Sequence, residues 1–87
     1  MNFVCVQWQS HPHVFEIALV NLASHQGQCY LDLQVDHLGD SAWQMKDLLG
    51  DQRFLRQGSE LKKTGLYIDA PAHAAQLFQF TKQLYKA

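Results

Sequence analysis

Nothing in this sequence approaches the roughly 20 consecutive apolar residues that a membrane-spanning helix requires, and charge of either sign is scarce. Charged residues make up 17% of the 87, against the roughly 25% usual for soluble domains. The formal net charge of −1 excludes the broad attraction to nucleic acid or an anionic membrane that a basic chain would have. It also leaves little repulsion between copies. Only two cysteines occur, Cys5 and Cys29, both inside apolar, strand-like runs. That is too few for the disulfide framework of a small secreted domain, and Met1 to Trp8 lacks the basic and long apolar regions of a signal peptide. A reducing, cytoplasmic setting with two buried thiols is expected; a Cys5–Cys29 disulfide between neighbouring strands is the alternative left open. Gly39, Gly50, Gly58 and Gly65 stand singly, where they read as helix ends, and no phosphate-cradling loop is formed by them. No repeat, low-complexity tract or linker divides the chain, so residues 1–87 read as a single domain.

What is present is hydrophobic pattern. With 47% hydrophobic residues the chain lies far from the disordered class. Residues 29–36 alternate without a break, Cys29, Leu31, Leu33 and Val35 against Tyr30, Asp32, Gln34 and Asp36. A two-residue period places one face on a core and the other in water. Asn2 to Gln9 alternates more loosely, with Val4, Val6 and Trp8 on one face and Phe3 and Cys5 on the other, as in a strand covered on both sides. Val14 to Ala23 admits two readings. One is a helix with a Phe15, Ala18, Leu19, Leu22 stripe; the other, which we prefer, is a strand folded back on residues 29–36, pairing Leu19 with Leu33 and Ile17 with Val35.

Beyond Gly39 the period lengthens. Asp40 or Ser41 caps a helix carrying Ala42, Met45, Leu48 and Leu49, and Asp51 starts a short helical turn to Gln57 anchored by Phe54 and Leu55. Gly58 to Thr64 is polar and basic, and Gly65 to Asp69 reads as a strand. A final helix starts at Pro71 and carries Ala74, Leu77, Phe78, Thr81, Leu84 and Tyr85, with Lys82 and Lys86 in its last turns. The order β-β-β-α-β-α, with an extra short helical turn after the first helix, implies an α+β two-layer sandwich: a mostly antiparallel sheet with helices on one face.

Signals for chemistry are weak. His11 and His13 flank Pro12, which breaks strand regularity, and no Asp, Glu or Cys stands beside them at ligand spacing; no metal or other cofactor is expected even with His25 or His37 nearby. Cys29 with His25 or His37 is the one thiol–imidazole pairing the expected topology brings close, but Cys29 falls on the core face, where thiols are inert. Asp32 and Asp36 are four residues apart, over ~12 Å along a strand, too far to share catalytic work. The expectation is a non-enzymatic protein.

Charge and aromatic placement say more. Residues 1–51 hold six acidic side chains against Lys46 alone, a net −5; residues 52–87 hold six basic side chains against Glu60 and Asp69, a net +4. Such bipolarity favours association with another copy or with an acidic partner. Arg53, Arg56, Lys62 and Lys63 form the candidate basic patch, interleaved with Phe54 as nucleic-acid surfaces are. Trp8, Trp43, Tyr30, Tyr67 and Tyr85 are more large aromatics than so small a core easily hides. Tyr30, Asp32, Gln34 and Trp43 are therefore the candidate interface residues. The leading expectation is a small, self-associating protein-binding module or regulator with a protein partner or homodimer. A nucleic-acid-associated factor using the basic half is the alternative, and a thiol- or metal-dependent enzyme the outsider.

Overall fold

The computed structural model describes residues 3–83 and is mostly antiparallel sheet with one helix, broadly α+β. β1 (Phe3–His11) turns at Pro12–His13 into β2 (Val14–Asn21), and β3 (Gly27–Leu31) follows. A 3₁₀ turn (Leu38–Asp40) leads into β4 (Ala42–Asp47) and β5 (Arg53–Gln57). Then come α1 (Gly58–Thr64), β6 (Leu66–Ala70) and β7 (Ala75–Lys82). Five strands form one sheet in the order β1-β2-β7-β4-β5, and β3 pairs with β6 in a separate two-stranded ribbon. Among the described residues no helix is long and apolar enough to cross a membrane.

The core lies on one face of the five-stranded sheet. Phe15, Ile17 and Leu19 of β2, Trp43 and Met45 of β4, and Phe78 and Phe80 of β7 are buried with Leu66, Ile68 and Ala70 of β6, Leu33, Leu38 and Leu61 of α1. Phe15 stacks on Phe80 at 4.5 Å and meets Trp43 edge to face at 5.0 Å, a packed aromatic centre of the kind that dominates small cores. At one end Asn21, fully buried, donates through Nδ2 to the carbonyls of His25, Ala70 and Pro71 and accepts the Ala23 N–H. The side-chain amide thereby ties β2 to the start of the connection between β6 and β7, and the Asn21 backbone N–H, donating to the Ala74 carbonyl at 2.9 Å, ties it to the end.

Several sequence expectations change. The strand expected over 29–36 ends its ladder at Leu31, because β6 offers only five residues and Leu31 pairs with the first of them, Leu66. Gly65, at φ +91 with the Leu31 carbonyl against it, turns the chain away there. Burial nonetheless keeps alternating through Asp36, since the side chain of Gln7 takes over from a strand: Nε2 donates to the Asp32 carbonyl and Oε1 accepts the Gln34 N–H, both at 3.1 Å. Residues 14–21 are a strand, but the hairpin partner is β1, joined through the two-residue Pro12–His13 turn, and the far side of β2 pairs with β7. Leu19 and Ile17 do not pair with Leu33 and Val35.

The helices expected over 41–49 and 51–57 are β4 and β5. Trp43 and Met45 alternate with Gln44 and Lys46, a period-two pattern that the helical reading overlooked, and Leu55 is exposed. The final helix is β7, in which Phe78 and Phe80 point inward between Leu77, Gln79 and Thr81; Leu84, Tyr85 and Lys86 lie outside the described residues. The one α-helix occupies Gly58–Thr64, the polar, basic stretch to which no element was assigned from sequence, and buried Gly58 and Leu61 hold it. The observed order is therefore β-β-β-β-β-α-β-β in place of β-β-β-α-β-α.

Candidate interaction surface

Among the described residues the other face of the five-stranded sheet carries none that is buried. β1 was expected to be covered on both sides; instead Val4, Val6 and Trp8 are 50%, 55% and 42% exposed. Strand register aligns the side chains of this bare face into rows. Val4 lies opposite Val20, which lies opposite Ala75. Val6 lies opposite Ala18, which lies opposite Leu77, and the Leu48 N–H donates to the Leu77 carbonyl at 2.8 Å, adding exposed Leu48 to that row. A third row runs Trp8, Glu16, Gln79, Lys46, Arg53 across all five strands. Glu16 is held within it by Gln79 Nε2 at 3.4 Å and by the Ser10 hydroxyl at 3.5 Å.

A solvated antiparallel face is ordinarily polar at every second residue, and a contiguous apolar patch on a soluble domain marks a contact surface. Here β2 is apolar on both faces, Val14, Ala18 and Val20 backing Phe15, Ile17 and Leu19. That double-sided pattern is present in the sequence of residues 14–20, where it competes with the helical spacing of Phe15, Ala18, Leu19 and Leu22.

The residues singled out from sequence scatter over other surfaces. Tyr30 is 61% exposed on the outer side of the ribbon, with its ring 5.4 Å from that of Tyr67, its cross-strand partner. Exposed Asp32 and Gln34 follow, joined by a 3.2 Å hydrogen bond between their side chains. Trp43 is not an interface residue: it is 0% exposed, and its indole N–H donates to the Leu38 carbonyl at 3.0 Å. The physical reason is the two-residue period of β4, which puts Trp43 with Met45 on the face that packs against Phe15 in the core. Arg53 and Arg56 point to opposite faces of β5, Arg56 inward over the Phe54 ring at 4.9 Å. Lys62 lies along the Gly39 turn and Lys63 is exposed on α1. The four cations thus do not share one surface.

His11 and His13 touch edge to face at 5.4 Å, and His37, left-handed at φ 58, contacts exposed Asp40 at 3.1 Å. Among the described residues no group of three or more His, Cys, Asp or Glu is disposed to hold a metal ion. An open recess of about 540 Å³ lies between Phe3, Asn21 and the 23–28 loop, but the Asn21 amide that faces it is already fully engaged.

Cys5 and Cys29 are free and half-buried. Burial pushes both thiols above their ordinary value, and Cys29 pushes Cys5 further the same way. The fold therefore favours the neutral thiol; that preference operates below the ordinary thiol range near pH 9.0 and is lost as pH rises above the elevated values. Alkylation by iodoacetamide at pH 7.5 is expected to run severalfold slower in the folded chain than in urea and to accelerate above pH 9, followed by intact mass. Equal rates in both states would remove the assignment of half-buried, inert thiols.

No protein-family model, curated protein or solved structure matches this chain.

Proposed function

We propose that the chain is a small, non-enzymatic protein-binding module or regulator, and that it binds through the bare face of its five-stranded sheet. The observation carrying this reading is the alignment of two apolar rows, Val4–Val20–Ala75 and Val6–Ala18–Leu77–Leu48, on a face that no described residue covers. Burying such aliphatic area is worth about 25 cal/mol per Å², and only a broad, flat partner surface reaches all of it at once. A protein does this; a small ligand needs a concavity. Two unpaired thiols fit a reducing, cytoplasmic setting. The nucleic-acid alternative has less support, because Arg53 and Arg56 leave β5 in opposite directions.

The test is photo-cross-linking in the cells that make the protein, with benzoylphenylalanine placed at position 8 on the bare face or at position 67 on the ribbon. Both sites are exposed, Trp8 by 42% and Tyr67 by 48%, so accessibility alone does not separate them. Discrete protein conjugates are expected from position 8 and none from position 67. No conjugate from position 8 removes the reading.

A further inference from the structure

Resting on that reading, we infer that the occupant of the bare face is a second copy of the chain. The two copies pack sheet on sheet about a twofold axis that runs along β7. The argument comes from where charge sits. Among the described residues the face carries three charged side chains, Glu16, Lys46 and Arg53, and all three fall in one row. Glu16 is on β2; Lys46 and Arg53 are on β4 and β5, beyond the intervening β7. With strands about 4.8 Å apart, the Glu16 and Lys46 backbones are about 10 Å from each other within a chain; Gln79 lies between them and holds Glu16, and the two form no ion pair among the described residues.

A twofold axis parallel to β7 reverses the order of the strands while keeping each row at its own height. β2 of one copy then lies over β4 of the other, and β1 over β5. Glu16 faces Lys46 of the second copy, and the Trp8 ring faces Arg53 of the second copy, an ion pair and a cation–π contact, each made twice. In the neighbouring row Leu77 meets Leu77 of the second copy, and small Ala18 receives Leu48 of the second copy. The competing twofold, across the strands, sets each strand over itself. If it passes through the charged row, Glu16 opposes Glu16 and Lys46 opposes Lys46; if it passes through the apolar rows, Glu16 is buried against Val20 without a partner. Both are unfavourable. Sheets that stack with their strands roughly aligned, as β-sandwiches do, retain the favourable matching near the axis.

The dimensions suit such a pairing. Five strands by about six residues give a flat footprint of about 480 Å² at the standard spacings. Side-chain relief raises the accessible area toward the roughly 800 Å² per partner of a stable interface. A net charge of −1 per chain adds little opposition.

The experiment measures the mass of the full chain by analytical ultracentrifugation across a concentration series at low salt, for wild type, E16K, K46E/R53E and the triple variant E16K/K46E/R53E. Far-UV circular dichroism confirms that each is folded. Wild type is expected at twice the chain mass. E16K makes the face wholly cationic and K46E/R53E wholly anionic, so each is expected to weaken dimerisation by about 30-fold or more. Mixing those two variants should yield a one-to-one heterodimer, and the triple variant, which restores both ion pairs with reversed sign but forfeits both cation–π contacts, should dimerise more tightly than E16K or K46E/R53E and less tightly than wild type. A wild-type dimer indifferent to E16K, or no heterodimer on mixing, overturns the twofold along β7. A wild type that stays monomeric at the highest concentration overturns the second copy as occupant; cross-links from position 8 to a different protein would then leave the protein-binding reading standing, and their absence would remove both.

Discussion

Trp43→Ala is expected to lower the melting temperature by about 16–48 °C and to leave much of the population unfolded at 37 °C. Truncating a buried tryptophan costs about 3–5 kcal/mol in transfer and cavity energy. Here it also leaves the Leu38 carbonyl, which accepts the indole N–H at 3.0 Å, without its partner inside the core, about 1 kcal/mol more. A domain of this size holds about 5–10 kcal/mol in all, and each kcal/mol moves its melting temperature by about 4–8 °C. Trp43→Phe keeps the edge contact with Phe15, 5.0 Å away, and loses the hydrogen bond and part of the volume, so about 1–2 kcal/mol is expected. Thermal melts and urea titrations followed by far-UV circular dichroism check both variants. Because Trp43 is 0% exposed on the face opposite Val6 and Val20, Trp43→Phe should leave the dimer's concentration dependence unchanged. A Trp43→Ala melting temperature within about 5 °C of wild type would place this ring outside the core.

The same residue shows how far the sequence could be read. Trp43, Met45 and Asp47 satisfy a period of two, and Ala42, Met45, Leu48 and Leu49 satisfy a helical spacing; over eight residues both patterns coexist. What decides between them lies far away: β7 offers Phe80 opposite Met45 on one side and β5 offers Phe54 on the other. Non-local pairing of this kind has no local signature, so strand propensity in β4, β5 and β7 lost to helix-like spacing. Adjacency in sequence helps only in part: β1 reads as a strand and β2 as a strand in the preferred of two readings, with residues 29–36 as the expected partner in place of β1. The extent of β3 differs from expectation for the same reason: its partner, β6, begins 35 residues after it ends and pairs with only three of the eight residues 29–36, Cys29, Tyr30 and Leu31.

The bare face was half visible. Val4, Val6 and Trp8 were read as one side of a strand, and the charge asymmetry between the chain's halves was read as a basis for association. The structure places part of that asymmetry on a single surface, Glu16 from the acidic half and Lys46 with Arg53 across β7 from it. Lys46 itself belongs to the acidic half by sequence, so its role follows from register alone. Trp43 illustrates the reverse error. Counting large aromatics against core size was sound, but the count could not say which ones stay outside; Tyr30, Tyr67 and Trp8 do.

Gly58→Ala should destabilise nearly as much as Trp43→Ala, though alanine adds one methyl to a helix. Gly58 opens α1, and its N–H donates to the Ser41 carbonyl at 2.9 Å. A β-carbon there would overlap the backbone carbonyl oxygens of Leu38 and Ser41. Neither oxygen can rotate away, so α1 or the 38–41 turn must move bodily, at a cost above the 1–3 kcal/mol of ordinary overpacking; about 3–5 kcal/mol is expected. Gly39→Ala is the control. Its added methyl would meet the Lys62 Cδ at 3.1 Å, the far part of a flexible side chain that swings aside, and less than about 1 kcal/mol should be lost. The Leu38 carbonyl is the common point: it accepts from Trp43 and blocks a β-carbon at Gly58. Displacing that turn also removes the acceptor the tryptophan uses, so the double variant Trp43→Ala/Gly58→Ala should fall short of the sum of the singles by about 1 kcal/mol or more, read by urea titration in a background stable enough to fold. Strict additivity would mean that the 38–41 turn does not couple α1 to β4.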